Sequence, residues 1–272
     1  MQNFSISPLG MVSGLWSNRN LITTLVKREV IGRYRGSLLG ILWSFFNPLF
    51  MLAVYTFVFS VIFQARWNTK SDSKTEFALI LFAGLIVFNL FAECVNKAPG
   101  LILSNVNYVK KVVFPLEILP IVALGSATFH AVISWSVWLF AYLILFGIPH
   151  STFLLLPLVS IPLLLLIMGL MWWLASLGVY LRDVSQFVGI FVTVLMFLSP
   201  IFYPASALPE YFRDFLFLNP LTTIVEQVRE VTYWGKLPDF MILGTLIIVG
   251  LTIAWLGFVW FQKTRKGFAD VI

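Results

Sequence analysis

Ser126 and His130 lie four residues apart in an apolar run, so a helix would stack a hydroxyl and an imidazole on one face. Nucleophilic hydrolysis needs the base opposed to the hydroxyl, usually from a second helix, with an oxyanion site nearby. The sequence shows no such partner. His130 therefore reads as a polar residue held between helices, and His150 as a solvated loop residue. The carboxylates Glu93, Glu117 and Asp183 fall near the ends of apolar runs, not clustered as a glycosyl or acyl transferase would need. No G-x-x-x-x-G-K-[ST] loop is present, so the chain is not expected to hydrolyse ATP through one. Cys94 is the single cysteine, which excludes an internal disulfide and a cysteine-based zinc site. The reading is non-catalytic, with no metal and no cofactor on this chain.

The elements that position these residues follow from composition. Hydrophobic residues make up 60% of the chain and charged residues 11%, with a mean hydropathy of +0.93. Soluble domains sit near half apolar and about a quarter charged, so the bilayer must be the solvent. The apolar runs are continuous, not alternating, and a spanning segment must satisfy its own backbone. The expected fold is all-α: a polytopic membrane protein with six transmembrane helices at about 37–63, 77–96, 116–146, 153–181, 186–203 and 239–261. The first 36 residues carry no apolar stretch of signal-peptide type. Carboxylates are missing from the middles of the spans, which argues against proton or sodium coupling. The power source is expected outside this chain.

The net charge of +6 is better explained by orientation than by nucleic acid as a partner. With the N-terminus inside, the inner segments hold Arg19, Lys27, Arg28, Arg33, Arg35, Lys97, Lys110, Lys111, Arg182, Lys263, Arg265 and Lys266. The outer ones hold Arg66, Lys70, Lys74, Arg213, Arg229 and Lys236, a ratio of twelve to six that places both termini in the cytoplasm. The chain divides into a cytoplasmic lead, 1–36, a membrane domain, 37–262, and a cytoplasmic end, 263–272. Residues 1–17 read as a loose lead. Residues 18–35 read as a basic amphipathic helix lying in the interface, with Leu21, Ile22, Leu25, Val26 and Val30 at helical spacing.

Segment 204–238 is too polar to span. Pro209 opens one short helix with Tyr211, Phe212, Phe215, Leu216 and Leu218 on a face. Asn219 can cap and Pro220 can start a second. Its apolar face is Leu221, Ile224, Val225, Val228 and Val231; its polar face, Thr223, Glu226, Gln227 and Glu230, should meet water or a polar substrate. Gly235 and Pro238 mark its end. Both helices are expected on the outer side.

Aromatic residues reach 17%. Many should be lipid anchors or packing. The first span nonetheless gathers Trp43, Phe46, Phe50, Tyr55 and Phe57 with few charges, a flat surface on which sugar C–H faces can slide. These residues, with Phe88 and Phe91 of the second span, are the candidate channel lining.

The run LVKREVIGRYRGSLLGILWSFFNPLFMLAVYTFVFSVIF resembles the opening of type-2 ABC exporter permeases, in the branch that exports O-antigen, capsule and teichoic acid. NYVKKVVFPLEILP, LRDVSQFVGI, LSPIFYP and LNPLTTIVEQVRE continue the resemblance in order along nearly the whole chain. The resemblance implies a homodimeric channel in the bacterial inner membrane, contacting membrane lipids. It implies two copies of a separate ATPase carrying ATP and Mg, and a lipid-linked polysaccharide as cargo. A teichoic acid, capsule, small lipid or drug permease is the alternative. It also implies that segment 97–113 docks into the ATPase, with Arg28, Glu29, Arg33, Asn105, Tyr108, Lys110 and Lys111 at the coupling contact. Segment 204–238 would be the outer gate, with Tyr203, Pro209, Phe212, Asn219, Pro220, Glu226 and Glu230. Simpler readings stay open: Arg28, Arg33 and Arg35 can contact anionic headgroups, Lys110 and Lys111 can be orientation signals, and the outer helices can be inert caps.

Overall fold

The computed structural model describes residues 6–62, 67, 74–110, 114–204, 209, 211, 216 and 219–272, and these are mostly helical, with no strand among them. Five helical stretches are long and apolar enough to cross a bilayer: Gly40–Phe59, Thr75–Gly100, Leu116–Phe146, Ser151–Tyr180 and Phe240–Val271.

The lead expected to be loose is a helix, α1 (Pro8–Ser17). The Ser7 hydroxyl accepts from the Gly10 N–H at 3.0 Å, and Pro8 supplies a preset first-turn φ. Asn18 ends it by donating from its side chain to the Gly14 carbonyl at 2.8 Å, and α2 (Arg19–Arg33) follows. Gly36 and Gly40, with φ of 85° and 53°, turn the chain into α3 (Trp43–Tyr55). The first span continues through π-helical turns at Thr56–Ile62.

The centre of the bundle is α4 (Lys74–Lys97). It packs against α6 (Leu119–Phe146), α7 (Leu156–Tyr180) and α8 (Val184–Leu198). Every residue from Phe77 to Phe91 is buried except Asn89. On its other flank α7 joins α10 (Phe240–Thr264), the most extensive helix pair. A Cβ on Gly257 would collide with the Gly169 carbonyl, and one on Gly169 with the backbone at Ile253. Small residues let helix backbones touch where lipid offers no hydrophobic drive to association.

The fifth expected span, 186–203, is shorter than anticipated. Helix α8 has 15 residues, about 22 Å, against a hydrocarbon core of about 30 Å. It stops because Ser199, preceding Pro200, is held extended at φ −88°, ψ 144°.

Helix α9 (Pro220–Thr232) starts where the sequence places it, the Asn219 side chain accepting from the Leu221 N–H at 3.0 Å. Its surroundings differ from expectation. Gln227, expected on the wet face, is buried: the helix lies against α4 and α7, which cover Thr222, Gln227, Arg229 and Thr232 as well as its apolar row. Thr223, Glu226 and Glu230 keep only partial exposure. The first of the two expected outer helices, with Phe212, lies outside the described residues.

Residues 263–272 fold back as a 3-10 turn, Arg265–Gly267, and a last short helix, α11 (Phe268–Val271). Phe268 is fully buried against Phe261 and Tyr180.

Candidate functional site

One end of the bundle gathers α2, α11, the start of α6 and α5 (Val106–Lys110). Helix α2 is seated there by an apolar contact: Leu25 is buried with Ile118 and Val122. Gly125 admits Val26 so closely that a Cβ would sit 2.7 Å from its methyl.

The opposite edge of α2 carries charges in register with α4. Arg33 Nη1 donates to Glu93 Oε1, and Lys97 Nζ donates to Glu29 Oε1. Glu29 and Arg33 are one turn apart on α2, and Glu93 and Lys97 one turn apart on α4. The two pairs form an antiparallel ladder of alternating sign. A third link, Arg28 Nη2 to the Tyr108 hydroxyl at 2.8 Å, reaches α5. Tyr108 is itself stacked on Phe114, with ring centroids 4.3 Å apart. The ion pairs are partly solvated, so each contributes at most about 1 kcal/mol. Their value is register: they fix how α2 moves with the loop that follows α4.

Four of the expected coupling residues, Arg28, Glu29, Arg33 and Tyr108, thus take part in three neighbouring links between α2 and the α4–α5 segment. Asn105 serves the loop internally, donating to the Leu101 carbonyl at 2.9 Å. Lys110 is exposed at the end of α5, and Lys111 lies outside the described residues. A 3-10 turn, Ala98–Gly100, presses the Pro99 carbonyl onto Gly178 of α7, where a Cβ would collide. Beside it, Arg265 Nη1 donates to Glu117 Oε2 at 2.6 Å in a largely buried pair. Trp172 Nε1 donates to the Glu117 carbonyl at 3.0 Å, so the starts and ends of α6, α7 and α10 are laced together.

The partners Glu93 and Lys97 were not expected here. Opposite charges at i and i+4 on each helix were the available signal, but only the fold sets the two helices side by side.

On α3, Trp43 and Phe50 are exposed and Phe46 is half-buried. Phe46 and Phe50 are stacked with centroids 6.1 Å apart. Tyr55 is half-buried beside Phe59. Phe88 and Phe91 are a correction: they are 3% and 2% exposed, inside the core of α4, and line no open surface. A helix surrounded by other helices packs its rings inward whatever their affinity for sugar.

At the opposite end, Arg229 is fully buried. Its guanidinium donates to the carbonyls of Ile80 at 3.1 Å, Pro200 at 2.6 Å and Ile201 at 2.9 Å, and to Glu226 at 2.9 Å. It also lies 4.4 Å from the Trp67 ring centroid. Arg229 therefore fastens α9 to α4 and to the turn after α8. The sequence reading placed it among outer surface charges, yet it follows Leu221 and Val225 at spacing of four, on the apolar face. The Asn219 side chain donates to Ser199 at 2.9 Å, and Tyr203 to the Phe197 carbonyl at 3.1 Å. Pro220 is half-buried and Pro209 exposed. Burial lifts the Glu230 carboxyl above its ordinary pKa, opposed by Lys236. This arrangement holds α9 against α4, and moving it away requires releasing Arg229.

The ABC-2 type transporter family profile matches residues 20–233. The O-antigen export system permease protein RfbA of Myxococcus xanthus is 28% identical over 264 residues, 96% of this chain and 99% of that protein. A Klebsiella pneumoniae protein of the same name is 25% identical, covering 93% of this chain and 95% of its own. The polysialic acid transport protein KpsM of Escherichia coli is 25% identical over 93% of this chain and 96% of its own.

Proposed function

The chain belongs to the ABC-2 type transporter family, and on that premise we propose that it is the permease subunit of an ATP-driven exporter of lipid-linked polysaccharide, O-antigen foremost. It works as a homodimer in the bacterial inner membrane with both termini in the cytoplasm. Two copies of a separate nucleotide-binding subunit supply ATP and Mg. The observation that carries the reading is the full-length similarity to relatives named as O-antigen export permeases, and a structural feature supports it. Helix α5, which ends on the exposed Lys110, is joined to α2 through Arg28 and Tyr108, and the loop before it bears on α7 at Gly178. A push on α5 is therefore passed to the interface helix and to the bundle together.

The test is deletion of the gene in its own host. Polysaccharide should accumulate inside the cell on its lipid carrier and reach the surface again when the chain is restored. Undiminished surface polysaccharide in the deletion strain overturns the reading. Lys110→Glu combined with Lys111→Glu should lower co-purification of the ATPase subunit without lowering the permease in the membrane. Unchanged co-purification removes α5 from the docking contact. A second reading, capsule-type cargo, is favoured by the similarity to the polysialic acid transport protein. The chemical composition of the accumulated polymer separates the two.

A further inference from the structure

Asn47 and Asn89 sit inside membrane-crossing helices, exposed, and their side chains make no hydrogen bond within the described residues. Asn89 stands one turn from Glu93 of the partly solvated ion pair, and Asn47 about two turns into Gly40–Phe59. An unpaired amide on such a helix is costly against lipid and is held where it meets a polar partner.

Both amides open into one cavity of about 210 Å³ between α3, α4 and α6. The same cavity is walled by His130, whose Nε2 is buried with no hydrogen-bond partner. Its Nδ1 lies 3.4 Å from Arg33 Nη1, and the Tyr34 ring stands edge-on to the imidazole with centroids 5.8 Å apart. Arg33 and Glu93 complete the wall and cancel one another's charge.

We propose that this cavity is a saccharide subsite, holding one sugar ring of the exported polymer by its hydroxyl groups; the proposal rests on the export reading above. The charge balance carries the choice of ligand. A phosphate or other anion would call for an unpaired cation, and the guanidinium here is already neutralised. The two amides both donate to and accept from hydroxyls, which suits an uncharged polyol. Apolar walls from Met51 and Phe82 suit its C–H faces. The volume lies below the roughly 300 Å³ at which drug-sized sites begin, so it takes a ring and not a longer stretch. Arg33 belongs to both the cavity and the charge ladder, so a bound ring would be felt at the coupling network.

The test uses the full chain in export-competent cells of its own host. A photo-crosslinking phenylalanine analogue is placed at Asn47, at Asn89, or at Phe140 on the exposed face of α6. After irradiation the permease is purified under denaturing conditions and probed for attached glycan by periodate oxidation. Glycan adducts at positions 47 and 89 and none at 140 are expected. Phospholipid adducts without glycan at 47 and 89, or no glycan there while export proceeds, overturn the subsite and leave the export reading standing. In parallel, Asn89→Leu should lower export roughly three- to tenfold at equal abundance, the range for one lost hydrogen bond. Asn89→Gln should retain most of it. Export unchanged in Asn89→Leu overturns the proposal, and loss of export reading in the unsubstituted chain removes it together with the function it rests on.

Discussion

Arg229 Nε donates to the carbonyl oxygen of Ile80 across 149 positions of sequence. The bond joins α9 to the buried central span, α4, and the same guanidinium reaches the carbonyls of Pro200 and Ile201. Arg229→Met keeps length and loses every donor. The carbonyls of Pro200 and Ile201 then lose this donor while that of Ile80 keeps its helical bond, so the chain should lose on the order of 3 kcal/mol, given about 1–3 per unsatisfied group and partial relaxation. Arg229→Lys should recover only part, because an ammonium cannot span the fork. Thermal unfolding in detergent measures both, and wild-type behaviour in Arg229→Met would show that α9 is held by its apolar face alone.

The ladder between α2 and α4 makes a reciprocal prediction. Glu29→Lys sets like charge against Lys97, and Lys97→Glu sets it against Glu29. Either change should lower export, and the double swap should restore it. A double-mutant cycle on stability should give a coupling of about 0.2–1 kcal/mol, as for other solvated pairs. Export equally low in the double swap would mean that each residue acts elsewhere, not through the other.

Burial separates two sets of aromatic residues that look alike in sequence. Trp43, Phe46 and Phe50 replaced together by leucine should leave membrane insertion and abundance close to wild type and reduce export. Phe88→Ala or Phe91→Ala should instead cost about 3–5 kcal/mol of stability, as core truncations do. The comparison needs abundance and export from the same cells. Normal export in the triple leucine variant would assign the α3 rings to lipid or subunit packing.

Glu230 carries a pH dependence of defined sign. Burial raises its folded-state pKa above the ordinary carboxylate value. Such a group disfavours the folded state once ionised, so stability should fall as pH rises from the ordinary pKa through the raised one. Glu230→Gln removes that loss. The variant should be the more stable of the two at neutral pH, and the difference should vanish in acid. A variant less stable than the parent at neutral pH would mean that the carboxylate makes a favourable contact stronger than its desolvation.

What the residues alone determine here is local and solvent-related. The apolar runs dictate spanning helices because a backbone in lipid must satisfy itself. The Asn219–Pro220 pair dictates where α9 begins, because a side-chain cap and a preset φ need no tertiary help. The leucines and valines of α2 mark its seated face. Ser7 and Pro8 carried the same local signal for α1, whose residues Leu9, Met11, Val12, Leu15 and Trp16 are apolar. The rest was decided in three dimensions. Hydropathy cannot tell a helix face against lipid from one against another helix, since both are apolar. That is why Phe50 and Phe88 look equivalent in sequence, while one is open and the other enclosed. The same ambiguity hid Arg229, whose cost of burial is offset by carbonyls 28 to 149 residues away. It hid the meeting of Glu29 with Lys97 and of Asn47 with Asn89, because rotation about each helix axis is set by packing, not by the helix itself.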